Sequence, residues 1–134
     1  MPTVLIVDDD PKLLKMLQRT LTYENLTVFT ATNGLEALPI VQAHKPDLII
    51  LDWMMPKMDG YEVCEHLKAD RQTRDIPVMF ISALDEAVDV VKAFHCGGDD
   101  YLIRPFEPEE LLVRVNASLR MYRLQHELRE RNRE

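Results

Sequence analysis

The sequence is poor in cysteine and in aromatic residues, and both shortages restrict what the chain can be. Its 134 residues include two cysteines, Cys64 and Cys96, which stand apart without metal-binding or redox spacing. We therefore expect two reduced thiols in a cytoplasmic protein. Aromatic residues make up 7% of the chain and hydrophobic residues 46%, so the core must be mostly aliphatic. The length is that of one compact domain.

Long hydrophobic runs and an excess of positive charge are also missing. No apolar run has membrane length, and the N-terminal residues lack the basic and apolar regions of a signal peptide. The 16 basic and 23 acidic side chains give a net charge of -7. This charge argues against nucleic-acid binding by electrostatics alone. We predict a cytoplasmic domain with no direct contact to nucleic acid or to a membrane.

Apolar runs alternate with helical patterns along the chain. The predicted strands span residues 3–7, 27–31, 47–52, 76–81 and 101–103. The predicted helices begin at Pro11, Gly34, Tyr61, Glu86 and Pro108. Unbroken apolar strands are typical of a sheet that is buried on both faces. The alternation predicts an α/β fold, a doubly wound parallel sheet with helices on both faces.

The second helix carries an unfavourable residue. Leu35, Leu38 and Val41 supply its apolar positions, but Pro39 lies among them. A proline inside a helix removes a backbone hydrogen bond and clashes with the preceding turn, at a cost of about 3 kcal/mol. We therefore expect a kink or a short, irregular helix here.

Several predicted strands end in polar residues. Asp8 and Asp9 follow the first strand, Asp52 ends the third, and Ser82 follows the fourth. Ligands of doubly wound sheets bind at the carboxyl ends of the strands, where the strand order reverses. Carboxylates gathered there repel one another unless a hard cation such as Mg²⁺ neutralises them. A carboxylate beside such a cation is able to attack a phosphoryl group.

The carboxylates are open to other interpretations. Residues 8–10 are also consistent with a solvated strand end followed by a helix cap. A phosphatase or phosphotransferase with an aspartate nucleophile usually carries a second acid two residues later, where this chain has Met54. A flavin-binding protein needs a loop of Ser, Thr and Gly after the first strand, but here that loop is acidic.

Four motifs, taken together in order and spacing, resemble the receiver domain of bacterial two-component response regulators over about residues 3–118. The motifs are Val-Asp-Asp at 7–9, Asp-Trp-Met-Met-Pro-Lys-Met-Asp-Gly at 52–60, Ile-Ser-Ala at 81–83 and Asp-Asp-Tyr-Leu-Ile-Arg-Pro-Phe at 99–106. The resemblance implies a flavodoxin-like (βα)5 fold with strand order 2-1-3-4-5. It implies phosphorelay signalling, in which a histidine kinase or a histidine phosphotransfer protein supplies the phosphoryl group.

The resemblance also implies roles for individual residues. Asp52 is the implied phospho-acceptor. The implied ligands of Mg²⁺, or of Mn²⁺ as a second candidate ion, are Asp9 and Asp52 directly, Asp8 through water, and the backbone carbonyl of Met54. Ser82 is the implied hydroxyl that moves to the phosphoryl group, and Tyr101 is the implied switch aromatic. Such a domain promotes its own phosphorylation and dephosphorylation but is not a conventional enzyme.

Arg104 departs from the family pattern, which has lysine before the proline at position 105. The guanidinium keeps the positive charge but is planar and favours bidentate contacts. It is expected to contact the phosphoryl group, to pair with Asp52 and pre-empt the switch, or to turn to solvent. Because of this departure, a pseudo-receiver that works as an interaction or dimerisation module without phosphorylation is the alternative function.

The last helix is longer than a receiver needs. We predict a receiver domain over residues 1–118 and a helical extension over 119–134. An apolar row of Val113, Ala117, Met121, Leu124 and Leu128 predicts a two-stranded coiled coil or signalling helix, and hence a homodimer. A solvated overhang is the alternative. The resemblance implies that the extension links to an absent output domain, such as a cyclase or a kinase, or that the domain switches a separate partner.

Overall fold

The computed structural model describes residues 2–83 and 94–133. The strands are β1 (Thr3–Val7), β2 (Thr27–Ala31), β3 (Leu48–Asp52), β4 (Val78–Ala83) and β5 (Asp100–Arg104). The helices with described bounds are α1 (Pro11–Tyr23), α2 (Gly34–His44), α3 (Gly60–Ala69) and α4 (Pro108–Arg133). The helix predicted over residues 86–95 lies mostly outside the described residues.

The five strands form one parallel sheet in the order β2-β1-β3-β4-β5. This confirms the predicted flavodoxin-like topology. Val7 pairs with Leu51 in the register of β1 and β3, and Asp52 pairs with Ile81 in the register of β3 and β4. The strand order reverses between β1 and β3, so a crevice forms where these two strands end.

Successive side chains of the central strands point to opposite faces of the sheet, and both faces are covered. On one face Leu5, Val7, Ile49 and Leu51 pack with residues of α2 and α3. On the other face Val4, Ile6, Leu48 and Ile50 pack with residues of α1 and α4. This two-sided burial is the reason that β1 and β3 are unbroken apolar runs. The rigid sheet then holds the residues at the ends of β1 and β3 in place.

Side-chain caps fix where the helices begin. Asp10, the residue before α1, accepts a hydrogen bond from the Lys12 N–H. Asp59 and Glu62 form a capping box at the start of α3, in which each side chain accepts from the other residue's backbone N–H. The α3 cap sets the position of the loop that follows β3, and this loop lines the crevice.

Of the two alternatives predicted for α2, the short, irregular helix was wrong. The helix is neither short nor irregular, because it continues through Pro39 from Gly34 to His44. Pro39 is exposed and has no N–H, so the carbonyl of Leu35 lacks its usual helix hydrogen bond. Leu35 is also on the exposed side of the helix. Leu35 is 54% exposed instead of facing the core. A kink at Pro39 stays a prediction.

Small residues take the place of Leu35 on the buried side of α2. Gly34, Ala37 and Val41 are buried there. A Cβ atom added to Gly34 would lie 2.5 Å from Cγ2 of Val63 in α3. The two helices therefore approach too closely for a leucine at that contact.

The bounds of β4 and β5 also differ from the prediction, and the ends of these two strands concern the crevice. β4 begins at Val78, because the Ile76 N–H is bonded to the Thr73 carbonyl of the preceding turn and Pro77 has no N–H. β4 then continues through Ser82, and β5 extends to Arg104. Both residues are consequently held by the sheet. None of the described helices is long and apolar enough to cross a membrane.

Candidate functional site

Three carboxylates converge at the ends of β1 and β3. One oxygen atom from each of Asp8, Asp9 and Asp52 lies within 4.8 Å of the other two. Asp8 is 1% exposed and Asp52 is 3% exposed, whereas Asp9 lies at the surface. Asp8 and Asp52 therefore form a buried pair of acids, and Asp9 lies at the opening of the crevice.

Backbone hydrogen bonds hold the buried pair in place. Oδ1 of Asp8 accepts from the Asp10 N–H at 2.8 Å, and the Asp8 N–H donates to the Ala31 carbonyl at 3.1 Å. Oδ1 of Asp52 accepts from the Met54 N–H at 3.4 Å. Few donors from the part of the chain that the structure describes therefore reach these carboxylates, which leaves lone pairs for other partners.

Two buried oxygen atoms of the crevice have no hydrogen-bond partner among residues 2–83 and 94–133. They are Oδ2 of Asp8 and Oγ of Ser82. A buried polar atom without a partner costs about 1 to 3 kcal/mol, so such atoms indicate a binding site. A hard divalent cation fits Oδ2 of Asp8 because carboxylate oxygens are its preferred ligands. A ligand that offers an acceptor oxygen fits the Ser82 hydroxyl.

The buried carboxyls resist ionisation. Burial, followed by the charge of Asp8, raises the pKa of Asp52 to about 8, although the Arg104 charge and the Met54 N–H act against this rise. Burial also raises the pKa of Asp8, against the hydrogen bond from Asp10 and the charge of Arg104. Without a cation the pair therefore retains a proton near neutral pH. A bound divalent cation would favour the doubly ionised form.

The guanidinium of Arg104 reaches both buried acids from the end of β5. Its Nη1 lies 3.8 Å from Oδ2 of Asp8, and its Nη2 lies 3.8 Å from Oδ1 of Asp52. The side chain is 23% exposed. Of the three expectations for Arg104, the structure shows the ion pair with Asp52 and adds Asp8 as a second partner. The Arg104–Pro105 peptide bond is cis.

Tyr101 and Met54 lie at the edge of this cluster. Tyr101 pairs with Phe80 in the register of β4 and β5, is half-buried, and contacts the Phe94 ring edge-on at a centroid distance of 6.3 Å. It therefore packs in the core beside the crevice and not among the carboxylates. Met54 lies two residues after Asp52, with its side chain 56% exposed.

Sequence reasoning missed the role of Gly60. Its N–H donates to the Trp53 carbonyl at 3.1 Å, and a Cβ atom added to it would lie 2.3 Å from the Asp52 carbonyl oxygen. The first residue of α3 is thus in direct backbone contact with the end of β3. The available signal was an Asp-Gly pair before a helix, but its contact with Asp52 depends on the path of the loop.

The fold and the crevice define a class of protein. It is a doubly wound domain with an acidic site, suited to a cation, at the point where the strand order reverses. The chain matches the family model of the response regulator receiver domain over residues 4–116. It belongs to that family, which works in two-component signalling.

The chain spans about half the length of the curated relatives that it matches. The chain is 42% identical over 120 residues to the DNA-binding dual master transcriptional regulator RpaA of Synechocystis, covering 90% of the chain and 50% of RpaA. It is 48% identical over 117 residues to the probable transcriptional regulator ycf27 of Cyanidium caldarium, covering 87% and 46%.

Solved structures show the same fold over almost their whole length. A putative response regulator from Chloroflexus aurantiacus superimposes with a TM-score of 0.84 at 36% identity, covering 89% of this chain and 98% of that one. The chemotaxis protein CheY4 of Vibrio cholerae gives a TM-score of 0.82 at 30% identity, with 88% and 98% covered.

Proposed function

We propose that the chain accepts a phosphoryl group on Asp52 with the help of a divalent cation, Mg²⁺ or Mn²⁺. A histidine kinase or a histidine phosphotransfer protein is the proposed donor. The observation that carries this proposal is the burial of Asp52 beside Asp8 and Asp9, with buried oxygen atoms of Asp8 and Ser82 left without hydrogen-bond partners in the described ranges. The domain then works as a switch and not as a conventional enzyme.

The proposed step is an in-line displacement at phosphorus. An ionised Asp52 oxygen forms the new bond to phosphorus, while the bond from phosphorus to the donor atom breaks and the donor keeps the electron pair. Bound at Asp8, Asp9, Asp52 and the Met54 carbonyl, the cation would screen the negative charge that gathers there. Ser82 would donate its hydroxyl to a phosphoryl oxygen, and Arg104 would supply a second positive charge.

Intact-mass measurement tests the proposal directly. The folded protein is incubated with Mg²⁺ and a small acyl-phosphate donor, and we expect a single phosphoryl adduct that is lost on chelation. Asp52→Asn should form no adduct, while Asp75→Asn, a substitution of an acid outside the crevice, should form it normally. A folded wild-type protein without adduct would favour the phosphorylation-independent interaction module, and Arg104→Lys would be the first substitution to make.

We further propose that Ser82 and Tyr101 transmit the phosphorylated state. Ser82 lies in β4, which pairs directly with β5, the strand that contains Tyr101. A shift of the Ser82 hydroxyl toward the phosphoryl group would therefore change the surroundings of Tyr101. The half-buried Tyr101 ring contacts Phe94, so its rearrangement would change the surface near residue 94. A phosphoryl group adds about -1.5 to -2 charge and three acceptor oxygens, enough to bias such a local rearrangement.

The proposed output is regulation of transcription. The two curated relatives described above are named as transcriptional regulators, and the chain spans about half of their length. This favours a transcriptional output over the cyclase or kinase outputs that the sequence alone suggested. We assign no nucleic-acid contact to the receiver domain itself, since its net charge is -7.

We also propose that α4 forms a homodimer. One side of α4 contacts the domain through the buried Leu111, Val115 and Leu119, through the half-buried Tyr122, and through a bidentate ion pair from Arg129 to Asp75. The opposite side carries Val113, Ala117, Met121, Leu124 and Leu128, all of them exposed. Because α-helices have about 3.6 residues per turn, these two rows lie nearly back to back. The exposed row is therefore available to a second copy.

Removing the exposed row tests the homodimer. We expect Leu124→Asn with Leu128→Asn to weaken dimerisation at least about tenfold, since burying these side chains contributes about 1.5 to 3 kcal/mol each. The matched control is Arg123→Asn with Glu127→Asn on the same exposed helical turns. Analytical ultracentrifugation over a range of concentrations provides the dissociation constants. A wild-type protein that is monomeric at all concentrations would leave the helix as a solvated overhang.

A further inference from the structure

A single guanidinium lies within ion-pair distance of two buried acids that both belong to the proposed cation site. Nη1 and Nη2 of Arg104 stand 3.8 Å from Oδ2 of Asp8 and Oδ1 of Asp52. Both of these carboxylates also belong to the group whose oxygens lie within 4.8 Å of one another. Arg104 and a divalent cation would thus neutralise the same charges from the same crevice.

Arginine suits this double contact better than lysine. Its planar guanidinium presents nitrogen atoms at two ends of a rigid fork, so one side chain faces two carboxylates at once. A lysine ammonium is one compact charge on a flexible stem. The charge of Arg104 also cannot be removed by proton loss at ordinary pH. The crevice therefore always contains a counter-ion of its own.

We propose that Arg104 is the resident counter-ion of the unphosphorylated site and that it lowers the site's affinity for Mg²⁺. This inference rests on the proposed function, because the proposed function supplies the identity of the cation. Mg²⁺ has to bind next to the guanidinium and draw Asp8 and Asp52 away from it. A phosphoryl group on Asp52 would supply new oxygens, so that the two cations no longer share the same ligands.

Trp53 provides the measurement. It is the single tryptophan of the chain, it follows Asp52 directly, and it is 7% exposed against the Phe80 ring. Fluorescence titration with Mg²⁺ therefore reports on the crevice without any phosphoryl transfer. The titrations are made at about pH 9, at which proton competition is small compared with that at neutral pH.

Three variants separate the charge of Arg104 from its shape. Arg104→Met removes the charge and keeps an unbranched side chain. We expect its Kd for Mg²⁺ to fall about tenfold. The corresponding free energy is a moderate fraction of the Coulomb repulsion between the guanidinium and the cation at such separations. Arg104→Lys should give an intermediate Kd, because an ammonium contacts one carboxylate at a time. Arg120→Met removes the same charge from an exposed position on α4 and should change the Kd less than about twofold.

The outcomes distinguish this inference from the proposed function. Folded Arg104→Met with an unchanged or higher Kd would overturn the inference. The proposed function would survive that result if the wild type binds Mg²⁺ and Asp52→Asn binds it more weakly. Absence of Mg²⁺ binding in all of the folded variants would overturn both. If Arg104→Met does not fold, NMR spectra of ¹⁵N-arginine-labelled wild-type protein provide the test. The Arg104 side-chain signal is assigned by comparison with Arg104→Lys, and we expect it to shift on addition of Mg²⁺. An unmoved signal overturns the inference.

Discussion

Gly60→Ala should destabilise the domain by about 2 to 3 kcal/mol and slow formation of the phosphoryl adduct about a hundredfold. The added Cβ would lie 2.3 Å from the Asp52 carbonyl oxygen and 3.2 Å from the Trp53 Cα, so either α3 or the end of β3 has to move. Overpacking of this kind costs about 1 to 3 kcal/mol, and misplacing a reacting group by about 1 Å can cost about a hundredfold in rate. Chemical denaturation and time-resolved intact mass measure the two effects.

The control for Gly60→Ala lies two residues later in the same helix. Glu62→Ala removes the exposed partner of the capping box, so it weakens the start of α3 without touching Asp52. We expect it to cost about 1 kcal/mol or less, with little change in the rate of adduct formation. Equal rate losses in the two variants would show that the stability of α3, and not its contact with Asp52, controls the site.

Much of the fold and most of the site follow from sequence patterns with direct physical causes. The residues of β1 and β3 are apolar without interruption because both faces of the sheet are covered, and this property identifies parallel strands. Parallel strands end at one edge of the sheet, so Asp8 and Asp52 had to be neighbours if β1 and β3 were paired. Asp10 before Pro11 located the start of α1, because capping is a local interaction.

The features that the sequence did not predict depend on distances between elements. Leu35 is apolar and has helical spacing, but the close approach of α2 and α3 at Gly34 excludes it from the core. The direction of the Arg104 side chain was open among three outcomes, because it depends on where β5 ends relative to β1 and β3. The contact of Gly60 with Asp52 likewise depends on the path of a whole loop.

Asp52→Asn should stabilise the cation-free domain at about pH 8 by at least about 1.4 kcal/mol, the equivalent of one pKa unit. At this pH the wild-type fold must either keep on Asp52 a proton that the unfolded chain has lost, or ionise a carboxyl that is 3% exposed and adjacent to Asp8. The amide carries no charge in either state. Glu24→Gln removes the same unit charge from an exposed side chain and should change the free energy of unfolding by less than about 0.5 kcal/mol. Urea denaturation in the presence of a chelator measures all three proteins.

The stabilisation by Asp52→Asn should depend on pH with a definite sign. The pKa of Asp52 is raised from 3.8 to about 8, so between these values the folded protein holds a proton that the unfolded chain has lost. The free energy of unfolding of the wild type must therefore fall as pH rises through this window and level off above it. The variant should show a shallower decline, to which the raised pKa of Asp8 still contributes, and the two proteins should converge near pH 4.

Mg²⁺ should stabilise the wild type more than it stabilises Asp52→Asn. A ligand that binds only the folded state at about 100 times its Kd adds about 2.7 kcal/mol, and at about pH 8 the wild type should gain nearly this amount. Asp52→Asn lacks one of the carboxylates that would hold the cation, so its gain should be much smaller. If Mg²⁺ instead stabilised both proteins equally, Asp52 would not be a ligand of the bound cation.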